Sequence, residues 1–289
     1  MVTIGVLSDM TQKLAIALGG GGARGAYQVG ALRAIFEAGY VPEIVTGASI
    51  GAMNAACIGL WGATIEAGDP NEAAWVEGAA LELLHRNNPR ALLRALVGRP
   101  DSMVRAKTLQ FLEDIGITSQ LTFRELTHAR IGMVSSDLEN AEPLIYGLNP
   151  DDRVQDGILA SVAIQPWIMP IREEGRYLVD GGLVSNTPIE AALRMGATEI
   201  IALSLREPYS GGQKDGVNDY LNRLAYTISL RMINLEQRLA ESRGVRVHFL
   251  QLHGPEPFST WDFENAMALI PAGYEITRSW LESGTSLGE

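Results

Sequence analysis

A short apolar run, residues 13–18 (KLAIAL), ends in four consecutive glycines, Gly19 to Gly22, and the chain passes directly into a helical pattern. An apolar run of that length bounded by glycines reads as a buried strand. Residues 23–38 then place Val29, Leu32, Ile35 and Phe36 at helical spacing, and Gly39 marks the stop. A strand that becomes a helix through bare glycines lets the backbone approach a ligand closely. Its N–H groups gather at the positive end of the helix, which favours an anion or a developing oxyanion.

The remaining chain repeats the alternation. Residues 44–46 read as a strand and 49–60, small and apolar throughout, as a largely buried helix. Residues 62–127 differ: short helical patterns broken by Pro70, Pro89, Gly98 and Pro100 predict a helical cap inserted into the domain. Residues 130–136 and 142–146 read as paired strands, 154–162 as a helix, 176–179 as a strand and 188–195 as a helix. That helix carries the signature of a capping box, Thr187 with Glu190, and Pro188 at its first position. A strand at 199–205, a long helix at 218–242, a strand at 245–250 and a helical stretch at 262–281 interrupted at Pro271 complete the reading. Strands alternating with helices predict an α/β fold of three layers, α/β/α, around a mostly parallel central sheet. No linker divides the chain, so 1–289 is read as one domain.

Composition narrows the function classes. Lys and Arg number 23 against 34 Asp and Glu, a net charge of −11, which disfavours nucleic acid as a partner. No apolar run reaches the roughly 18 residues of a membrane span. The first residues, MVTIGVLSDMTQK, lack the basic start and apolar core of a secretory leader, so cytoplasmic residence is the default expectation. A single cysteine, Cys57, and four histidines form no zinc pattern.

Three clusters could carry chemistry. The first is Gly19–Gly25 with Arg24, which also matches G-x-G-x-x-G at Gly20, Gly22 and Gly25. Dinucleotide binding and a purely structural turn therefore stay open, although Glu43 precedes the second strand where a ribose-binding acid should follow it. The second is Gly47-Ala48-Ser49-Ile50-Gly51, a G-x-S-x-G between a strand and a helix. In a nucleophile elbow the serine stands on a sharp turn whose crowding the glycines relieve; the plain alternative is a glycine-rich packing turn. The third is Asp180-Gly181-Gly182, with Asn186 and Pro188 behind it, where a carboxylate ends a strand. An Asp-Gly pair is more often an ordinary turn.

Together the three clusters resemble the patatin-like phospholipase family. Gly20–Gly25 is similar to its G-G-G-x-R-G loop, Gly47–Gly51 to its G-x-S-x-G and Asp180–Gly182 to its D-G-G, in the same order. The resemblance covers about residues 14–61 and 161–205. It departs at Ala163-Ile164-Gln165, where the family carries a proline directly after the Ala-Ile pair and here Pro166 comes one place later. The resemblance implies a lipid acyl hydrolase with a patatin-like fold. Ser49 would be the nucleophile and Asp180 the base. The backbone N–H groups of Gly20, Gly21 and Gly22 would form the oxyanion hole, and Arg24 would brace the loop or meet a substrate phosphate. It implies a lipid substrate and no metal or cofactor; peripheral contact with a membrane rests instead on the basic segment at 86–107, and oligomeric state is left open. A Ser-Asp-His triad using His248 or His253 is the mechanistic rival, and acyl transfer or thioester cleavage through the same serine is the functional one. Six basic residues between Arg86 and Lys107, including Arg90, Arg94 and Arg99, against one acid, Asp101, leave two readings open: a solvated helix packed on the domain by its leucines, or a helix that rests on an anionic bilayer.

Overall fold

The first strand, β1 (Leu14–Leu18), lies inside the sheet because every side chain is apolar and both edges are taken. It pairs in parallel with β2 (Ile44–Ala48) on one side and β7 (Glu199–Ser204) on the other. The computed structural model describes residues 13–65, 70–80, 102–165, 168–206 and 217–283. Eight strands form one sheet in the order β5-β6-β3-β2-β1-β7-β8, with β4 against β3. Here β3 is Arg130–Asp137, β4 Glu142–Tyr146, β5 Ile171–Glu173, β6 Arg176–Asp180 and β8 Arg246–Gln251. The pairings β1–β2, β1–β7, β2–β3 and β7–β8 are parallel; β3–β4, β3–β6 and β5–β6 are antiparallel.

Alternation along β1 divides the core. Ile16 and Leu18 join the larger cluster, which includes α1 (Ala26–Glu37), α2 (Ile50–Trp61) and α8 (Leu269–Glu282). Ala15 and Ala17 face the other way, into a thinner cluster with α6 (Ile189–Arg194) and α7 (Val217–Ser242). Helices thus cover both faces, and the architecture is the expected three-layer α/β/α. The helix α5 (Val154–Ser161) packs beside β3 and β6.

Between residues 62 and 127, the described residues include α3 (Pro70–Ala80), α4 (Ser102–Asp114) and a 3-10 turn, Phe123–Glu125, closed by a capping box between Thr122 and Glu125. α3 is tied to the body: Arg33 pairs with Glu72 at 2.7 Å, and Trp75 Nε1 donates to Asn54 Oδ1 at 3.0 Å. Of the basic segment, Arg86, Arg90, Arg94 and Arg99 lie outside the described residues, as does Pro166; Arg105 and Lys107 are exposed on α4.

Two local expectations are corrected. The capping box at Thr187 does not form; the Glu190 N–H donates instead to Glu236 Oε2, at 2.8 Å, from the facing helix α7. Pro271 does not interrupt the last helix. It stands in the first turn of α8, where an N–H has no intrahelical acceptor and proline costs little. The short strand β5 was not anticipated, because three residues carry too little pattern.

Candidate active site

Ser49 joins β2 to α2 with φ 54° and ψ −127°, a conformation that strains any residue with a side chain. The flanking glycines are sterically required. A Cβ on Gly47 would stand 2.2 Å from the Gly51 carbonyl oxygen, and one on Gly51 would stand 2.2 Å from that of Leu18. This is the backbone shape of a nucleophile elbow. The Ser49 N–H donates to Ser161 Oγ at 2.9 Å, and the Ser161 hydroxyl donates onward to the Val134 carbonyl at 2.6 Å. The turn is therefore pinned to β3 through α5.

Asp180 ends β6 opposite Ser135. Its Oδ1 accepts the Gly182 N–H at 2.8 Å, while Oδ2 is buried and accepts no hydrogen bond of good geometry. Burial pushes the carboxyl up to about 6, against the Ser49 hydroxyl and the Gly182 N–H, which favour the charged form. The Ser49 hydroxyl thus sits near enough to influence the carboxylate without completing a bond to Oδ2. Loose contacts of this kind tighten when a substrate is bound.

The glycine loop lies over the same end of the sheet. The Gly19 N–H donates to the Leu203 carbonyl and the Gly20 N–H to the Asn186 carbonyl, both at 2.9 Å. The Gly20 N–H is therefore already committed, which corrects its expected place in the oxyanion hole. The Gly21 and Gly22 N–H groups make no hydrogen bond among the described residues, and Gly22 takes φ +57°. Arg24 Nε reaches the Gly21 carbonyl at 3.4 Å, which fits a brace for the loop. Asn186 spans both motifs: its carbonyl holds Gly20, its Nδ2 lies 3.4 Å from the Gly20 oxygen, and its Oδ1 crowds Gly20 and Gly182. Beneath the loop, Gln28 Nε2 donates to the Gly19 carbonyl at 2.8 Å. Asn54 Nδ2 donates to Gln28 Oε1 at 2.8 Å and to the Gly25 carbonyl at 3.1 Å.

Gln28 and Asn54 left a signal in the sequence, as amides inside apolar helices. Ser161 left none.

The histidine rival is not assembled. His248 Nε2 lies 2.7 Å from Glu199 Oε1, and His248 is paired in register with Ile201, below the carboxyl ends of the strands. β8 is three strands from β2, about 14 Å across the sheet. His253 follows the same edge strand, with Nδ1 3.0 Å from the Gly254 carbonyl. The dinucleotide reading also loses its acid. Glu43 precedes β2 and stands at the amino end of the sheet, while the carboxyl end of β2 runs straight into Ser49. Among the described residues, no group of three His, Cys, Asp or Glu could hold a metal ion.

The family model described as patatin-like phospholipase matches residues 16–193, a span that holds the glycine loop, Ser49 and Asp180. The chain belongs to the patatin-like phospholipase family. Among its curated relatives, a patatin-like phospholipase domain-containing protein of Caenorhabditis elegans is 27% identical over 92% of this chain and 20% of its own length. An uncharacterized NTE family protein of Mycobacterium tuberculosis is 28% identical over 78% of this chain and 59% of its own. This patatin-like chain thus spans between a fifth and three-fifths of those relatives. Among solved structures, VipD from Legionella pneumophila aligns at a TM-score of 0.46 and 16% identity, over 94% of this chain and 67% of that one.

Proposed function

We propose that this protein is a serine acyl hydrolase that cleaves fatty acyl esters of phospholipids, lysophospholipids or related lipids. The observation that carries the reading is Ser49 on its strained turn beside Asp180, whose carboxyl burial pushes up to about 6. A carboxylate of ordinary pKa is a weak base, and one raised by burial is closer to the range a general base needs.

In this reading Ser49 Oγ attacks the ester carbonyl as Asp180 takes the hydroxyl proton. The carbonyl oxygen becomes an oxyanion facing the Gly21 and Gly22 N–H groups, each such donor being typically worth ~3 kcal/mol in the transition state. Collapse breaks the ester C–O bond, and Asp180 returns its proton to the departing alcohol. Asp180 then deprotonates a water molecule that attacks the Ser49 acyl ester, and the second collapse releases the fatty acid and restores the serine. Arg24 keeps the loop shaped through the Gly21 carbonyl, and Asn186 holds loop and aspartate segment together.

The test is to incubate the protein with mixed phospholipids, lysophospholipids, triglycerides and acyl thioesters and identify the products by mass spectrometry. Release of free fatty acid that disappears in Ser49→Ala is the expected result. Acyl groups passed to an added alcohol or lysolipid would make the protein a transferase instead. No turnover and no fluorophosphonate labelling of Ser49 would overturn the reading.

A further inference from the structure

The helix α7 is 26 residues long, about 39 Å, whereas the strands it covers have five or six residues. Among the described residues its buried side chains fall in the second half: Ile233, Glu236 and Ala240 are buried, and Glu236 meets the start of α6, while in the first half Tyr226 lies under the Arg206 guanidinium. That point is level with the active-site loops, because Asn186, three residues before Ile189, holds Gly20. α7 connects the parallel strands β7 and β8, so it runs against their direction. Residues before Glu236 therefore project past the end of the sheet where Ser49 and Asp180 meet. Tyr220 stands 16 residues ahead of Glu236, about 24 Å along the axis.

The outer face of this helix carries one continuous row. Tyr220, Leu224, Ile228, Arg231, Leu235 and Arg238 follow at spacings of four, four, three, four and three residues, which keeps them on one side. Tyr220 is 60% exposed, Leu224 59%, Ile228 48% and Leu235 40%. Scattered exposed apolar residues are ordinary, but a contiguous row is not. The two arginines in the row are exposed, and the row holds no acid, in a chain of net charge −11. Cations and apolar side chains on one helix face, with a tyrosine among them, suit the boundary between anionic headgroups and acyl chains.

We propose that the outer face of α7 docks the protein on an anionic lipid surface, which brings the projecting half of the helix, beside the active-site end, onto the membrane. The acidic remainder of the molecule is repelled by such a surface, so the arginine row also sets the orientation. The proposal rests on the acyl-ester reading for its purpose, not for its measurement.

The experiment is sedimentation of the full chain with vesicles of phosphatidylcholine containing phosphatidylglycerol, read without turnover. The comparison is wild type against Arg231→Gln/Arg238→Gln and against Leu224→Ser/Ile228→Ser. These side chains are exposed, so the folded state should persist, checked by circular dichroism and thermal melting. Wild type should bind, and bind more weakly but still measurably in 0.5 M salt, since exposed charges are screened at high ionic strength while the apolar contribution remains. The arginine pair should weaken partitioning by about 30-fold, at roughly fivefold per basic residue. The serine pair should weaken binding at both salt concentrations. Hydrolysis of a soluble short-chain ester should be unchanged in both variants, while hydrolysis of vesicle lipid falls. Absent hydrolysis of any ester with vesicle binding intact would remove the acyl-ester reading and leave the docking surface standing. Wild type that ignores vesicles, or variants that bind as wild type does, would overturn the proposal. So would light scattering that finds a dimer broken by the serine pair, which would assign the face to a second copy of the chain.

Discussion

Ser49 and Asp180 meet because two strands share one edge of β3. Along that edge β2 pairs with Arg130–Val134, ending with Ala48 opposite Val134, and antiparallel β6 pairs with Ser135–Asp137, ending with Asp180 opposite Ser135. The other edge is occupied by β4, from Met133 to Asp137. β2 and β6 therefore run head-on, and their carboxyl ends abut at the Val134–Ser135 junction. Gly181 allows the close approach, since a Cβ there would stand 2.1 Å from the Val134 carbonyl oxygen. Register places both side chains, and a slip by one residue would turn either to the opposite face.

The elbow predicts a split between activity and stability. Ser49 bears φ 54°, which costs of the order of 1–3 kcal/mol in a residue with a Cβ. Ser49→Ala should abolish ester hydrolysis and fluorophosphonate labelling with the fold intact. Ser49→Gly should be equally inactive yet more stable than Ser49→Ala by ~1 kcal/mol in denaturant titration. Normal turnover by either variant would sink the proposed mechanism.

Asp180 sets a pH dependence. Its folded pKa of about 6 lies above the ordinary 3.8, so the folded state holds the extra proton between those values. Activity should rise as pH increases through about 6, where the carboxylate ionises. Stability moves the other way: the cost of the buried charge is absent below pH 3.8, grows as pH rises, and is fully present above 6. Asp180→Asn should therefore be inactive, more stable than wild type at pH 8 by on the order of 3 kcal/mol, and nearly matched to it at pH 4. Urea titrations at the two pH values make the check.

Much of the site was legible because its parts need backbone shapes that glycine alone supplies. The turn at Ser49 leaves no space at positions 47 and 51, so G-x-S-x-G records the geometry in the sequence. What was illegible depends on partners far along the chain. The Gly20 N–H is taken by a carbonyl 166 residues away, which no local pattern announces. The same applies to Thr187 and Glu190. Their spacing promises a capping box, but a carboxylate 46 residues on, Glu236, takes the Glu190 N–H. Ser161 is one more small residue in an apolar helix until β2 ends above it. The last helix departs from its sequence pattern for a local reason: the 3-10 turn Ala266–Ala268 precedes it, so Pro271 falls in a first turn rather than an interior.

His248 should matter for stability and not for the reaction. Its imidazole and the Glu199 carboxylate are both nearly buried and 2.7 Å apart at the far edge of the sheet. His248→Ala removes a partner from a buried carboxylate, which should cost ~2 kcal/mol. Well below its melting temperature the variant should keep wild-type kcat on a soluble ester. A stable His248→Ala protein with kcat reduced by orders of magnitude would bring the triad back.

Asn186 carries the last prediction, because it joins two segments that must be aligned. Its carbonyl receives the Gly20 N–H, and its side chain lies against the backbone of Gly20 and against Gly182, whose own N–H holds Asp180 Oδ1. Asn186→Ala keeps the carbonyl but removes the amide that fills the space between the loops. The donors at Gly21 and Gly22 and the Asp180 carboxylate are then free to drift relative to Ser49. A displacement of about 1 Å at a reacting group costs up to ~100-fold in rate. The expected outcome is a kcat lowered by ~10–100-fold with KM on a short-chain ester little changed, since the loss belongs to the transition state. Asn186→Asp should restore the filled space but place a second carboxylate near Asp180, raising the pH at which activity appears. A KM increase with kcat unchanged in Asn186→Ala would instead make Asn186 a substrate-binding residue.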